Sequence, residues 1–145
     1  MAVDTKFIGR EYKPTTYVVG QEKIKEYALA IGDLNPLYTE PDFAKKSKYG
    51  SIIAHPLFVV VFARGMIEIL FSDNELKLDL NKLLHGEQEF NFHKTVKAGD
   101  IISTTGKIQN IYQKNNNDFV EFETKSYNQN NELVVEGLWT FIVRG

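Results

Sequence analysis

Residues 56–71 read Pro56-Leu57-Phe58-Val59-Val60-Val61-Phe62-Ala63-Arg64-Gly65-Met66-Ile67-Glu68-Ile69-Leu70-Phe71, and the folding of this stretch decides the architecture. Val59, Val60 and Val61 favour a strand. The length argues against one, and Pro56 suits the first turn of a helix. The spacing therefore predicts one long helix from Pro56 to Phe71. Only Arg64 and Glu68 interrupt its apolar surface, four residues apart as in a helix ion pair. A helix apolar on nearly every side has to be surrounded by protein. It is too short for the ~20 residues that a bilayer core demands, so no membrane span is expected.

Downstream, the chain alternates. Leu84 to Lys94 sets Phe90 and Phe92 against Glu89, Asn91 and His93, and the turn Ala98-Gly99-Asp100 leads to Ile101–Gln113, rich in β-branched residues. In Phe119–Tyr127, Val120, Phe122 and Thr124 share one face, opposite Glu121, Glu123 and Lys125. Leu133–Val143 puts Leu133, Val135, Trp139, Phe141 and Val143 on one face. Such period-two patterns predict four long antiparallel strands. The polar stretches Lys114–Asp118 and Asn128–Glu132 read as hairpin turns, because Asn tolerates the left-handed backbone that tight turns demand. One apolar helix followed by these strands implies an α+β fold, a curved antiparallel sheet wrapped around a central helix.

Upstream, Tyr17–Val19 is a short strand candidate. Gln21–Ile31 has helical spacing in Ile24, Tyr27, Ala28 and Ile31, and Gly32 stops it. Asp33–Pro41 reads as a loop, since Pro36 and Pro41 cannot continue a helix or donate to a ladder.

The 145 residues amount to one domain, spanning 1–145, long enough to bury a core without staples. Cys is absent, which excludes disulfides and thiolate chemistry. Seventeen basic residues against nineteen acidic ones leave a net charge of −2, too even for a broad nucleic-acid face. The N-terminal stretch carries no apolar run of signal-peptide length, so a cytoplasmic protein is expected. The three histidines, His55, His85 and His93, lack metal-ligand spacing, and no Gly-rich phosphate loop advertises a redox cofactor. Neither metal nor cofactor is expected.

Gly32-Asp33-Leu34-Asn35-Pro36-Leu37, followed by Pro41-Asp42-Phe43-Ala44 and by Ile53-Ala54-His55-Pro56, resembles the signature region of MaoC-like (R)-specific enoyl-thioester hydratases and 3-hydroxyacyl dehydratases. His85-Gly86-Glu87-Gln88-Glu89-Phe90 and Val96-Lys97-Ala98-Gly99-Asp100 extend the likeness to the N-terminal-type dehydratase domain of that family. The resemblance implies the hot-dog fold, which agrees with the sheet-around-helix pattern. It also implies an acyl-CoA or acyl-carrier-protein thioester as substrate, and paired units with sites at their interface.

In that family the loop reads Asp-x-Asn-Pro-x-His, and its Asp and His are the catalytic pair. An imidazole can carry the proton that dehydration takes from C2, and a carboxylate can share that transfer or position water. Asp33 fits the acidic position. Tyr38 stands where the histidine belongs, and a phenol that ionises near 10 is a poor base at neutral pH. The family's glycine after the Ala-His pair supplies an oxyanion N–H; here Pro56 has none to give. Some relatives pair one hot-dog subunit that keeps the Asp/His pair with another that has Tyr in place of His and shapes the acyl channel. This chain resembles the second kind.

The expected catalytic positions are therefore Asp33 and Tyr38, and the expected substrate-binding ones are Asn35, His55, Pro56 and Leu57. Each has a plainer reading. On it Asp33 turns onto its own backbone, Asn35 shapes the loop, Tyr38 packs, and His55 caps the helix. His85 and His93 read as exposed or interface histidines, and Lys45-Lys46-Ser47-Lys48 as a solvated turn or a partner for phosphates. The functions compatible with this pattern are a channel-forming dehydratase subunit in a homodimer or heterodimer, a self-sufficient homodimer using Asp33, and an acyl-thioester-binding protein.

Overall fold

A computed structural model describes residues 2–145. Five antiparallel strands form one sheet in the order β1-β3-β4-β5-β2. They are β1 (Glu11–Val18), β2 (Leu83–Phe92), β3 (Ile101–Lys114), β4 (Asn117–Tyr127) and β5 (Leu133–Val143). Between β1 and β2 lie α1 (Gln21–Ala30), α2 (Pro36–Thr39), α3 (Pro41–Lys46), α4 (Val59–Phe62) and α5 (Arg64–Phe71).

The β3–β4 hairpin turns through Asn115 and Asn116, both at positive φ, as a two-residue connection between right-twisted strands requires. Strict alternation follows: Ile102, Thr104 and Ile108 of β3 and Val120, Phe122 and Thr124 of β4 are buried. Their buried hydroxyls are satisfied within the sheet. Thr104 and Ser126 share a 2.8 Å hydrogen bond, and Trp139 Nε1 donates to Thr124 Oγ1 at 2.8 Å.

The expected long helix is present in three pieces, and this corrects the single span over 56–71. A 3₁₀ turn covers Pro56–Phe58, α4 follows directly, and α5 starts after Ala63. Ala63 has ψ −9°, flatter than an α-helical residue, and its N–H reaches both the Val59 and the Val61 carbonyls. The β-branched run Val59–Val61 crowds this turn and weakens the regular ladder. Phe58, Val59, Phe62, Ala63, Met66 and Leu70 form the buried stripe at helical spacing.

The helix is also not enclosed on every side. Leu57 is 44% and Val60 40% exposed, and Arg64 and Glu68 pair in solvent at 2.7 Å. The sheet covers one side of the helix within this chain, and the opposite side stays open.

Two further expectations are corrected. The strand expected at Tyr17–Val19 runs from Glu11, carrying Pro14 at a register shift on the sheet edge, where a missing N–H costs no ladder bond. The stretch 33–41, expected as loop, holds α2 and the start of α3. Pro36 and Pro41 open these helices, a position whose N–H would have had no helical partner anyway.

Gly106 marks where helix meets sheet. A Cβ there would lie 2.4 Å from Phe122 Cζ and 2.6 Å from Met66 Sδ. Gly106→Ala is therefore expected to lower unfolding free energy by about 1–3 kcal/mol, the usual cost of overpacking. Urea denaturation of the variant beside the wild type checks this.

Candidate functional site

Asp33 is placed by the end of α1. Gly32, at φ 75°, reverses the chain so that its N–H bonds the Leu29 carbonyl and the Asp33 N–H bonds the Ala28 carbonyl at 2.9 Å. Asp33 Oδ1 then accepts the Asn35 N–H at 3.1 Å. Asn35 in turn caps α2, its Oδ1 accepting the Leu37 N–H at 3.0 Å. Both side chains thus spend an oxygen on shaping the loop.

The single turn of α2 carries Tyr38 inward, where it is 9% exposed. The chain after α3 returns to fix this turn against the sheet. Ile53 N–H bonds the Leu37 carbonyl at 3.2 Å, and Ala54 N–H bonds the Val96 carbonyl at 2.8 Å. His55 follows directly and lies edge-on to the Tyr38 ring, with centroids 5.5 Å apart.

The orientation of His55 decides what this site can do. Its Nδ1 accepts the Leu57 N–H at 3.0 Å, capping the central helix. An acceptor Nδ1 leaves the ring proton on Nε2, which faces Asp33 Oδ2 at 3.5 Å, too long for a good hydrogen bond. Nδ1 is committed to a backbone amide, while Nε2 carries the ring proton toward the carboxylate without a hydrogen bond. The helix start offers no free amide either. Pro56 lacks an N–H, Leu57 gives its own to His55 Nδ1, and Phe58 bonds the His55 carbonyl at 2.8 Å.

Tyr38 keeps its proton. Burial raises its phenol above the ordinary value, and the charge of Asp33 and the nearby Tyr49 add to the shift. A neutral phenol can donate a hydrogen bond but cannot abstract a C2 proton near pH 7.

A cavity of about 470 Å³ opens beside these residues, with Asn35, Tyr38, His55 and Pro56 in its wall. Asp33 and Leu57, expected at the site, lie outside its lining. The far wall is apolar and comes from Phe62, Val96, Val134 and Val135. Sequence reasoning missed Tyr49 and His93, which also line it. β2 ends at Phe92, so the alternation that assigned His93 to the outer face does not extend to it. His93 Nε2 lies 3.0 Å from Glu136 Oε2. His85 is elsewhere, stacked on Trp139 and bonded to Gln88 Oε1 at 2.9 Å. Among the described residues no group of three or more His, Cys, Asp or Glu is arranged to hold a metal, and no helix is long and apolar enough to cross a membrane.

His55→Ala is expected to cost about 1 kcal/mol through loss of the helix cap, and His55→Asn to recover most of it, since Asn also caps. Denaturant midpoints for the two variants distinguish a capping role from simple packing. The raised Tyr38 phenol makes a second prediction. Because the folded value exceeds the unfolded one, its contribution to stability is complete below pH about 10 and is lost as pH rises through the folded value. Absorbance titration of native protein at alkaline pH should show a late-ionising phenol that Tyr38→Phe removes.

Residues 6–137 match the family model described as FAS1-like, dehydratase domain region. A UPF0336 protein from Streptomyces avermitilis is 38% identical over 145 residues, covering 99% of this chain and 97% of that one. Among solved structures, the C-terminally truncated HadBC (3R-hydroxyacyl-ACP dehydratase) complex from Mycobacterium tuberculosis superposes with TM-score 0.85 at 24% identity, over 98% of this chain and 99% of that one. The R-hydratase PhaJ1 from Pseudomonas aeruginosa gives TM-score 0.73 at 20% identity, over 94% and 81% of the two chains. The resemblance to MaoC-like hydratases and dehydratases seen in the loop motif thus extends through the fold. With its sheet wrapped on one side of a segmented central helix, this chain is a hot-dog protein belonging to the FAS1-like dehydratase-region family.

Proposed function

We propose that this chain is the channel-forming subunit of a (3R)-hydroxyacyl-thioester dehydratase, paired with a hot-dog chain that supplies the Asp/His pair. The observation that carries this reading is the tautomer that its cap imposes on His55. With Nδ1 on the Leu57 amide and the proton on Nε2, this imidazole of the cavity wall presents no free lone pair for a substrate proton; the other, His93, has its Nε2 at 3.0 Å from Glu136 Oε2. Syn-dehydration takes a proton from C2 as the C3–O bond breaks, and the oxygen leaves protonated, as water. That needs a base beside C2, an acid beside the hydroxyl, and donors on the thioester oxygen. Here the base position holds a protonated phenol, and the helix start has no free amide.

The surfaces left open support a partner. β2 is a sheet edge with Phe92 49% exposed, and Leu57 and Val60 are uncovered on the central helix. The apolar far wall of the cavity suits an acyl chain. The similarity to the HadBC complex accords with an assembly of two hot-dog chains.

A second reading rests on one contact. Asp33 Oδ2 lies 3.5 Å from His55 Nε2, and a homodimer could use this carboxylate as its base. Turnover separates the two readings. A missing general base costs roughly 10²–10⁴-fold, and a missing oxyanion donor roughly 10²–10³-fold. The purified chain is therefore expected to hydrate short and long enoyl thioesters at least about ten-thousandfold more slowly than its mixture with a chain carrying an intact Asp-x-Asn-Pro-x-His loop. Robust turnover by the pure chain, abolished by Asp33→Ala, would overturn the channel-subunit reading. Binding without turnover in every such mixture would instead identify an acyl-thioester-binding protein.

A further inference from the structure

β1 and β2 are the two edges of the sheet, and they differ. β1 carries Pro14 and a register shift between Tyr12 and Thr15, features that blunt an edge against further pairing. β2 has no proline and pairs regularly with β5 from Glu87 to Phe92. Its inner face continues the aromatic row of β5. Phe90 lies edge-on to Trp139 at 5.5 Å, and Phe92, half exposed, lies 5.8 Å from Phe90. Its outer face is acidic, with Glu87 and Glu89 both exposed. Further into the sheet, each outer-face acid has a cation across from it: Lys107 lies opposite Glu123, and Lys125 opposite Glu136. Glu87 and Glu89 lie opposite Thr140 and Leu138, which carry no charge, and neither is in an ion pair among the described residues. The cross-strand position left to them is the one beyond the edge.

We propose that β2 accepts the edge strand of a different chain, one carrying Lys or Arg on its outer face against Glu87 and Glu89, and that these carboxylates turn away a second copy. The proposal rests on the two-chain reading above and names the chemistry of the partner's edge. A second copy related by a two-fold axis would run antiparallel along β2. With Phe90 and Phe92 kept on the inner face, only outer-face residues can stand opposite Glu87 and Glu89. Centring the pair on Gln88 sets Glu87 against Glu89 of the copy, twice. Centring it on Glu89 sets the two Glu89 side chains against each other. Centring it on Phe90 leaves them diagonal, still within reach of long side chains. Each register brings like charges together without a cation from within the chain. A basic edge strand instead extends the alternation of acid and cation that Lys107 and Lys125 begin.

Sedimentation velocity of the full chain tests the edge. The wild type is run alone and mixed with its charge-reversed variant Glu87→Lys/Glu89→Lys, which presents a basic edge on the same fold; a melting curve verifies that fold. In about 50 mM salt the mixture should associate at least about tenfold more tightly than either protein alone, and the gap should close in about 0.5 M salt. Lys13→Glu, a charge reversal on β1, should leave the mixture unchanged. A wild type that self-associates as tightly as the mixture, or a gap that survives salt, would overturn the proposal. Weakening of the mixture by Lys13→Glu would overturn the choice of β2. Turnover of the same wild-type sample separates the two readings. A homodimer that hydrates enoyl thioesters overturns both, whereas an inert homodimer overturns the edge alone.

Discussion

Helix and sheet approach closely at Gly106, and the placement of every other part of the fold follows from that contact. With no side chain on β3 at this point, Met66 of α5 and the Phe122 ring of β4 occupy the space a Cβ would take. Gly65 of α5 faces Thr15 of β1 more loosely, since a Cβ there would make only ordinary contact at 3.7 Å. The glycine on β3 lets the helix settle against the sheet centre. Phe58, Met66 and Leu70 then become fully buried, each worth about 1.5–3 kcal/mol over leaving it exposed.

Anchoring the helix there carries its N-terminal end to the sheet's edge region, beside the loop that follows α1. Two local devices meet at that point. The glycine turn at Gly32 delivers Asp33, and the single turn of α2 delivers Tyr38. Between them His55 serves as helix cap, a role forced by Pro56. Proline begins the helix without an N–H, so the first available amide belongs to Leu57, and His55 Nδ1 takes it. That cap fixes the ring proton on Nε2, facing Asp33.

The same packing leaves the rest of the molecule unevenly covered. One sheet shields one side of a segmented helix, so Leu57 and Val60 stay in contact with solvent and β2 keeps an unpaired edge. Charge is distributed in a similar way. Acidic side chains dominate the outer sheet surface near Glu89, Glu121, Glu123 and Glu136, whereas Lys48 and Lys97 lie against Tyr49.

Much of this was legible locally. Period-two alternation located Leu133–Val143 to the residue, because a strand with one buried face records its burial in every second side chain. Paired asparagines marked the β3–β4 turn, because their left-handed preference belongs to the residue itself. The Asp33, Asn35 and Tyr38 spacing located the loop. The full extent of β1 was not legible: its strand conformation is maintained by pairing with β3, and Pro14 obscures the pattern. Nor could spacing show that His55 directs Nδ1 to a backbone amide, or that His93 and Tyr49 line the cavity with Tyr38. The sequence by itself determined the four long downstream strands, their hairpin turns and the phenol at position 38, since these depend on neighbours within a few residues. Tertiary structure alone decided which face of the helix stays open and that Tyr49 and His93 line the cavity with Tyr38, because these depend on where distant segments come to rest.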